Sequence, residues 1–290
     1  MVDDNQLYIG EDNVDFISVD GEIVKQIYFG SEKIYQFSKV VTFSPSSSLQ
    51  TLYVPMGFHK LHIDCVASKG RTVTSGSYSA TGGLGGRVQC DLSVNGGETL
   101  YIMVGDVPDT ETPIYNASDI RIGGNTLNDR VIVAGGGGGG SFSSYYGVGY
   151  CRGGNGGNDN NGNGENGLIG GSSETLGNKA ARGGTQSAGG AGAHEAVYAT
   201  LSAGSGQLGL GGTTTRGGNA VAGTAGAGGA GYYGGGGGLI MGIRFGDSHY
   251  GSWAYSGAGG SSYTNASCTN VVHTQGYNDG AGYITISFVS

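Results

Sequence analysis

The 290-residue sequence holds 64 glycines, about three times the usual share, with four prolines, a net charge of −8 and only 12% charged residues. Collagen is excluded, because its strict Gly-X-Y period and high proline content are missing. Disorder fits poorly, since 37% of the residues are hydrophobic and the glycine blocks are broken by tyrosines and aliphatics rather than by charge runs. No basic cluster is present to follow a phosphate backbone, so nucleic acid is not an expected partner. The start MVDDNQLYIG has neither the basic residues nor the apolar run of a secretory signal, and no segment approaches the roughly 18 apolar residues of a membrane span. The expectation is a chain made in a cytoplasm that enters no membrane.

In chain order, residues 1–40 read as short strands separated by turns: QLYIG, DFISV, the Asp20-Gly21 turn, EIVKQIYFG and EKIYQF. A module this small has little core of its own and is expected to lean on a partner or on the following domain. Between 41 and 134 the runs VTFSP, QTLYVPMGF, KLHIDCVAS, GRVQCDLSV, ETLYIMVGD and DRVIVAG alternate apolar with polar residues, bounded by Gly, Pro, Asn and Ser. This pattern predicts a β-sandwich. Cys65 alternates with Leu61 and Ile63, and Cys90 with Val88 and Leu92, so both are expected to face inward as reduced thiols. Cys151 and Cys268 fall in the glycine region as a candidate pair, and no CxxC spacing suggests zinc or a redox motif.

Most of the glycines lie between 135 and 260, interrupted by SFSSYYGVGY, HEAVYATLSAGSGQLGL and LIMGIRFGDSHYGSWAYS, and the chain then closes on the alternating strand GYITISFVS. An extended left-handed helix with three residues per turn has no internal hydrogen bonds. Its N–H and C=O groups must therefore find partners on neighbouring segments or in water. If every inward residue is glycine, several such helices approach closely enough to bond laterally, because no Cβ holds them apart. Proline would remove a donor, and none occurs in this region. The expected product is a rigid stack whose connecting loops emerge at its ends, and function is sought in those loops.

The stretches FSPSSSLQTLYVPMGFHKLHIDCVASKG, GGRVQCDLSVNGGETLYIMVGD, RVIVAGGGGGG, RGGTQSAGGAG, GAGYYGGGGG, SGAGGSSYTN and GAGYITISF follow the order seen in a known family. Over residues 41–290 the chain resembles the glycine-rich domains of the anaplastic lymphoma kinase and leukocyte tyrosine kinase receptors, a pattern shared by bacterial and phage proteins. The resemblance implies a tumour-necrosis-factor-like β-sandwich with a bundle of polyglycine type II helices inserted before the last strand. The fold class expected is thus mainly β, with little or no α-helix. Its parts are an N-terminal β module at 1–40 for virion attachment, a sandwich at 41–134 plus 278–290, and a polyglycine-helix bundle at 135–277. The receptors' signal peptide, membrane span and kinase domain have no counterpart. The segment GEIVKQIYFGSEKIYQ is similar to one common near the N-terminus of phage tail and baseplate proteins, and phage tip adhesins with stacked polyglycine helices are the nearest functional analogy.

The segment 239–256 gathers the only tryptophan with several aromatics and both signs of charge. Rings beside hydrogen-bonding groups suit sugars or protein surfaces. Arg244, Phe245, Asp247, His249, Tyr250, Trp253 and Tyr255, with Phe142, Tyr145 and Tyr146 from SFSSYYGVGY, form the candidate receptor-binding set. A second reading of the same rings is a buried cap over the open end of the bundle. Tyr150 shares this ambiguity, and His194, Glu195 and Tyr198 make a poorer candidate. Tyr232 and Tyr233 are read as packing residues.

GNGENG at 162–167 satisfies a literal GxGxxG, yet it follows no strand and opens no helix. The five histidines show no metal-ligand spacing, and no Ser or Cys lies in a recognisable nucleophile motif. NDNNGNGEN offers Asp159 and Glu165 to calcium without the ordered acidic spacing of a calcium loop, and reads as a polar turn. No cofactor or metal is therefore expected, and no enzymatic activity. The expectation is a phage tail receptor-binding protein or adhesin in the virion. Its partners would be a host-surface glycan or protein and, through the N-terminal module, other tail or baseplate proteins. The alternative is a baseplate or tail spacer that never touches the host. Ice binding, a third possibility, is disfavoured by the long irregular loops.

Overall fold

The computed structural model describes residues 18–19, 22–23, 26–29, 32–36, 40–113, 115–144, 148–171, 180–196, 200–218, 222–245 and 249–289, with side chains from residue 40 onward except at 171, 218, 222, 243–245 and 249–250. The architecture is mainly β. The one helical element among these residues is a 3-10 turn, Leu127–Asp129, capped by Thr126 and Asp129 in a capping box. No described helix is long and apolar enough to cross a membrane.

Strict alternation along KLHIDCV places Leu61, Ile63 and Cys65 on one face, where all three are fully buried, with Lys60 and His62 exposed on the other. In register beside them stand Leu92, Cys90 and Val88 on one neighbour and Phe288, Ile286 and Ile284 on the other. The resulting five-stranded antiparallel sheet runs Cys268–Asn278, Gly85–Ser93, Lys60–Val66, Tyr283–Val289, Val40–Phe43. A second five-stranded antiparallel sheet runs Tyr263–Thr264, Arg130–Ala134, Ser118–Ile122, Thr99–Met103, Gln50–Tyr53. Its Leu100, Ile102, Ile120 and Ile132 join the residues of the first sheet in one core. Each such side chain contributes roughly 1.5–3 kcal/mol by leaving water. Cys65 and Cys90 face inward, as their alternation requires.

The second sheet departs from simple alternation, because Arg130–Ala134 is buried along its whole length. Its outer face is covered by the glycine-rich insert. Val133 and Ala117 pack against Ala230, with Tyr115, Tyr232 and Tyr263 around them. Arg130 donates to the carbonyls of Gly231 at 2.8 Å and Tyr232 at 3.0 Å, and the Tyr232 ring stacks on Tyr263 at 3.9 Å. Beneath this cover Asp119 is fully buried, held by the Arg121 guanidinium at 2.6 Å and by a short hydrogen bond from Tyr115. A buried carboxylate is tolerated only when paired in this way. Burial, and then the charge of Asp119, pushes the Tyr115 phenol well above its ordinary value.

The insert is organised by a three-residue period. Gly136 and Gly139 donate to the carbonyls of Ala230 and Ala227, both at 2.8 Å. Gly137 and Gly140 donate to Ser68 at 3.1 Å and Arg71 at 2.9 Å, and Gly138 donates to Gly154 at 2.8 Å. Residues 257–262 repeat the arrangement: Gly257 and Gly260 bond Gly139 and Gly136, Ala258 and Ser261 bond Gly236 and Tyr233, and Gly259 and Ser262 bond Glu165 and Gly162. Each segment thus presents three faces to three neighbours. A Cβ on Gly137, Gly228, Gly235 or Gly257 would sit within 3.0 Å of a neighbouring carbonyl group. Glycine here is a steric requirement of close approach.

Two boundaries differ from the sequence expectation. The chain re-enters the sheets at Tyr263 rather than near 278, and Gly70 and Gly83, from the presumed sandwich segment, pack against Gly137, Gly138 and Gly154 of the glycine-rich segments, with Gly82 against Gly70. The reason is that lateral hydrogen bonding depends on close approach, not on position in the chain. In the N-terminal region Ser18–Val19 pairs with Glu22–Ile23, and Gln26–Phe29 with Glu32–Gln36, both antiparallel. The stretch QLYIG lies outside the described residues.

Cys151 and Cys268 are not paired, and all four cysteines are free. Cys151 faces the carbonyl of Ala254 at 3.2 Å inside the insert, whereas Cys268 stands opposite Leu92 at the edge of the first sheet. Burial pushes the Cys151 thiol up to about 11. The neighbouring Cys90 thiol lowers Cys268, and Cys268 together with burial raises Cys90. In a thiol-reagent titration near pH 8, the native protein is expected to lose Cys268 first, with Cys65, Cys90 and Cys151 reacting only after denaturation. A second expectation separates two glycines that look alike in the sequence. Gly137→Ala lowers stability by about 3 kcal/mol or prevents folding, whereas Gly280→Ala, where the nearest atom to a Cβ is Asn278 Oδ1 at 3.7 Å, stays within roughly 0.5 kcal/mol; thermal melts read both.

Candidate functional site

Several of the laterally bonded glycine segments continue directly into strands. Ser141–Ser144 follows Gly140, Leu239–Phe245 follows Gly238, and His249–Tyr255 precedes Ser256. They assemble two small sheets: Val148–Cys151, Ser141–Ser144 and Ala222–Thr224 in one, and Ile169–Gly171, His249–Tyr255, Leu239–Phe245 and Thr215–Gly218 in the other. Small residues let the two sheets stack closely. Ser141 Oγ donates to the Tyr255 carbonyl at 2.8 Å, and a Cβ on Gly149 would meet the backbone of Gly170 and Ser252.

The segment expected as a loop at 239–256 is mostly two paired seven-residue strands whose successive side chains alternate between two buried clusters, Leu239, Met241, Trp253 and Tyr255 in one and Ile240 and Ala254 in the other. This alternation corrects part of the candidate receptor-binding set. Trp253 is 3% exposed and Tyr255 fully buried, packed with Leu239, Met241, Ala181, Ala193 and Ala258. The Trp253 ring occupies the space where a side chain on Gly251 would stand. The Tyr255 hydroxyl donates to Glu195 Oε2 at 2.8 Å, and that carboxylate is itself fully buried. Phe142 is buried too, at 6% exposure. These three rings are buried packing residues rather than exposed contacts.

The remaining candidates divide into two groups. Arg244 and Phe245 are cross-strand partners of Tyr250 and His249, next to the hairpin turn, with their side chains outside the described set. Asp247, Tyr145, Tyr146 and Tyr198 lie outside the described residues altogether. Tyr232 and Tyr233 meet edge to face at 5.5 Å, with Tyr232 against the second sheet, as packing residues do.

Two exposed tyrosines come together on the outer face of the three-stranded sheet. Tyr150 is 50% exposed, and Tyr78, on the hairpin Val73–Ser75/Tyr78–Ala80, is 43% exposed. Their ring centroids are 5.8 Å apart at an interplanar angle of 46°. Phe142, the direct cross-strand partner of Tyr150, lies 6.2 Å from Tyr78 and floors the pair. The hairpin is tied to the glycine segments near its base by bonds from the Gly140 N–H to the Arg71 carbonyl and from the Gly153 N–H to the Thr81 carbonyl, both at 2.9 Å, and the Gly82 N–H to Thr72 Oγ1 bond closes its base. Tyr78 carries no local sequence signal. It stands alone in GSYSA, some seventy residues from Tyr150, and only the tertiary fold brings the two together.

Other chemistry is already engaged. His194 Nδ1 lies 2.9 Å from Ser202 Oγ, yet the adjacent acid, Glu195, points into the core towards Tyr255 and does not orient the imidazole, so a Ser-His-acid triad is not assembled. Asp159 accepts from the Gln275 N–H at 2.7 Å, while Glu165 binds Arg152 at 2.7 Å, so the two acids of the polar turn do not converge. Among the described residues no group of three His, Cys, Asp or Glu is placed to hold a metal.

No protein-family model matches the chain, and no curated protein is significantly similar to it. The site assignment therefore rests on geometry. Trp253→Ala is expected to cost about 3–5 kcal/mol by opening a cavity in its buried cluster, read as a lowered urea midpoint; unchanged stability would return Trp253 to the surface.

Proposed function

We propose that the chain is a receptor-binding protein of a bacteriophage tail, a non-enzymatic adhesin carried on the virion. In this reading the two sheets form a tumour-necrosis-factor-like sandwich, and the laterally bonded glycine segments are polyglycine type II helices. The three-residue period of hydrogen bonds along 135–140 and 257–262 supports the helix reading, since that period belongs to three residues per turn. The resemblance of RVIVAGGGGGG and GAGYYGGGGG to receptor glycine-rich domains supports the whole arrangement, and GEIVKQIYFGSEKIYQ supports attachment of residues 1–40 to other tail or baseplate proteins.

The observation that carries the proposal is the cluster of small sheets that continue the glycine segments and leave aromatic rings exposed. The three- and four-stranded sheets continue the backbone-bonded glycine segments, and beside the three-stranded sheet Tyr78 and Tyr150 are exposed. Tyr145, Tyr146, Arg244, Phe245, Asp247, His249 and Tyr250 belong by sequence to connections and strand ends of the same region. The partner is a glycan or protein of the host surface, and several copies on one particle compensate for weak single contacts through avidity.

Labelled recombinant protein, multimerised on a bead, is expected to bind bacterial strains selectively and to block adsorption of the phage that carries it. Absence of binding to every strain in a broad panel would instead assign the chain to a spacer role.

A further inference from the structure

We infer that Tyr78 and Tyr150 form a subsite for an uncharged sugar ring. The inference rests on the adhesin reading and narrows its partner to a neutral glycan.

Three observations lead there. First, the two rings are held apart and tilted, 5.8 Å between centroids and 46° between planes, so an aromatic face remains available beside each rim. Pyranose rings present a face of C–H groups to such a surface, and the phenol supplies a polar handle at its edge. Second, the strands around the pair carry no charge, and the flanking Arg152 is already engaged by Glu165 at 2.7 Å. The five strands that build the patch read VTS, YSA, SFSS, VGYC and AGT, without a single Asp, Glu, Lys, Arg or His. Thr74, Ser75 and Ser79 are exposed on the same hairpin and add hydroxyls that exchange hydrogen bonds with sugar hydroxyls. An acidic saccharide or a charged peptide would find no counter-charge on these strands. Third, the apolar part is small. Tyr78, Tyr150 and Val148, at 38–50% exposure, fall far short of the ~800 Å² that each partner buries in a stable protein–protein interface. One or two stacked sugar rings match that scale.

The pair is also preorganised. Phe142 beneath it is buried, Tyr150 is fixed in register opposite Phe142, and the Tyr78 hairpin is tied to the bundle by backbone bonds. Little side-chain entropy is left to lose on binding.

The test uses the full chain, multimerised on beads, against intact cells, periodate-oxidised cells, protease-shaved cells, and an array of neutral hexose oligosaccharides with uronate-bearing counterparts. Binding to cells is expected to survive protease and to be lost after periodate. It is expected to vary little between low and physiological salt, because no ion pair is involved. Tyr78→Ala and Tyr150→Ala should each weaken capture by neutral oligosaccharides about tenfold. Tyr78→Phe and Tyr150→Phe should retain most of it, and Tyr53→Ala, 43% exposed on a different edge, should change nothing. Thermal melts check that the variants fold, and the two Phe variants carry the test if an Ala variant does not. If cells bind the wild type but the folded Ala variants bind equally well, or if protease rather than periodate removes binding, the sugar subsite is overturned while the adhesin reading stands. If no cell is bound but neutral oligosaccharides are captured through the two tyrosines, the adhesin reading falls and the subsite stands. Preference for the uronate-bearing sugars, or capture of none, overturns the subsite.

Discussion

A backbone N–H donating to a carbonyl on a neighbouring segment, with no Cβ between them, is the interaction on which the rest of this molecule depends. Each such bond is worth only about 0.5–1.5 kcal/mol net, and each glycine loses more conformational freedom on ordering than any other residue. The insert is therefore stable only as a cooperative array in which most segments serve several neighbours at once. Gly136 shows the economy of the arrangement: its N–H binds Ala230 and its carbonyl receives Gly260. Alanines enter where a methyl faces a small apolar cluster, as at Ala193, Ala230 and Ala258, or faces water, as at Ala191.

Such an array has no oily interior to anchor it, and the second sheet supplies the anchor. Arg130 reaches out of the sheet to two carbonyls of the insert, and the stacked pair Tyr232 and Tyr263 seals that contact. The price of this junction is a buried Asp119, which Arg121 and Tyr115 neutralise and bond. The second sheet thus holds the glycine-rich segments at this face, and those segments in turn shield it from water. In the strands that continue the glycine segments the same logic is reversed: Leu239, Met241, Trp253 and Tyr255 form a tight cluster, and only what lies outside that cluster is free to meet a ligand.

The functional consequence is a division between rings that pack and rings that face water. Burial separates Trp253, Tyr255 and Phe142 from Tyr78 and Tyr150, although all five are aromatic residues of short strands. Composition matters as much as exposure. Five adjoining strands without ionisable acids or bases, rimmed by hydroxyls, make a surface whose recognition rests on ring faces and hydrogen bonds rather than on charge.

Much of the architecture was legible along the chain. Period-two alternation in KLHIDCV, RVQCDL and GYITISF marked the inward faces, because a half-buried strand must alternate, and Cys65 and Cys90 followed from it. The absence of proline and the density of glycine from 135 onward pointed to close backbone approach. The boundaries at Gly70, Gly82 and Tyr263 were not legible, because a lateral hydrogen bond leaves no local mark on the sequence. Aromatic content drew attention to Trp253, yet in HYGSWAY a ring over glycine is equally at home facing the core, and no one-dimensional pattern says which side is wet. Sequence alone determined the β character, the inward thiols and the glycine-dependent packing, since these follow from local period and side-chain size. Tertiary structure decided which rings are exposed, that Cys151 and Cys268 stand apart, and that Tyr78 meets Tyr150, because each depends on contacts between segments far apart in the chain.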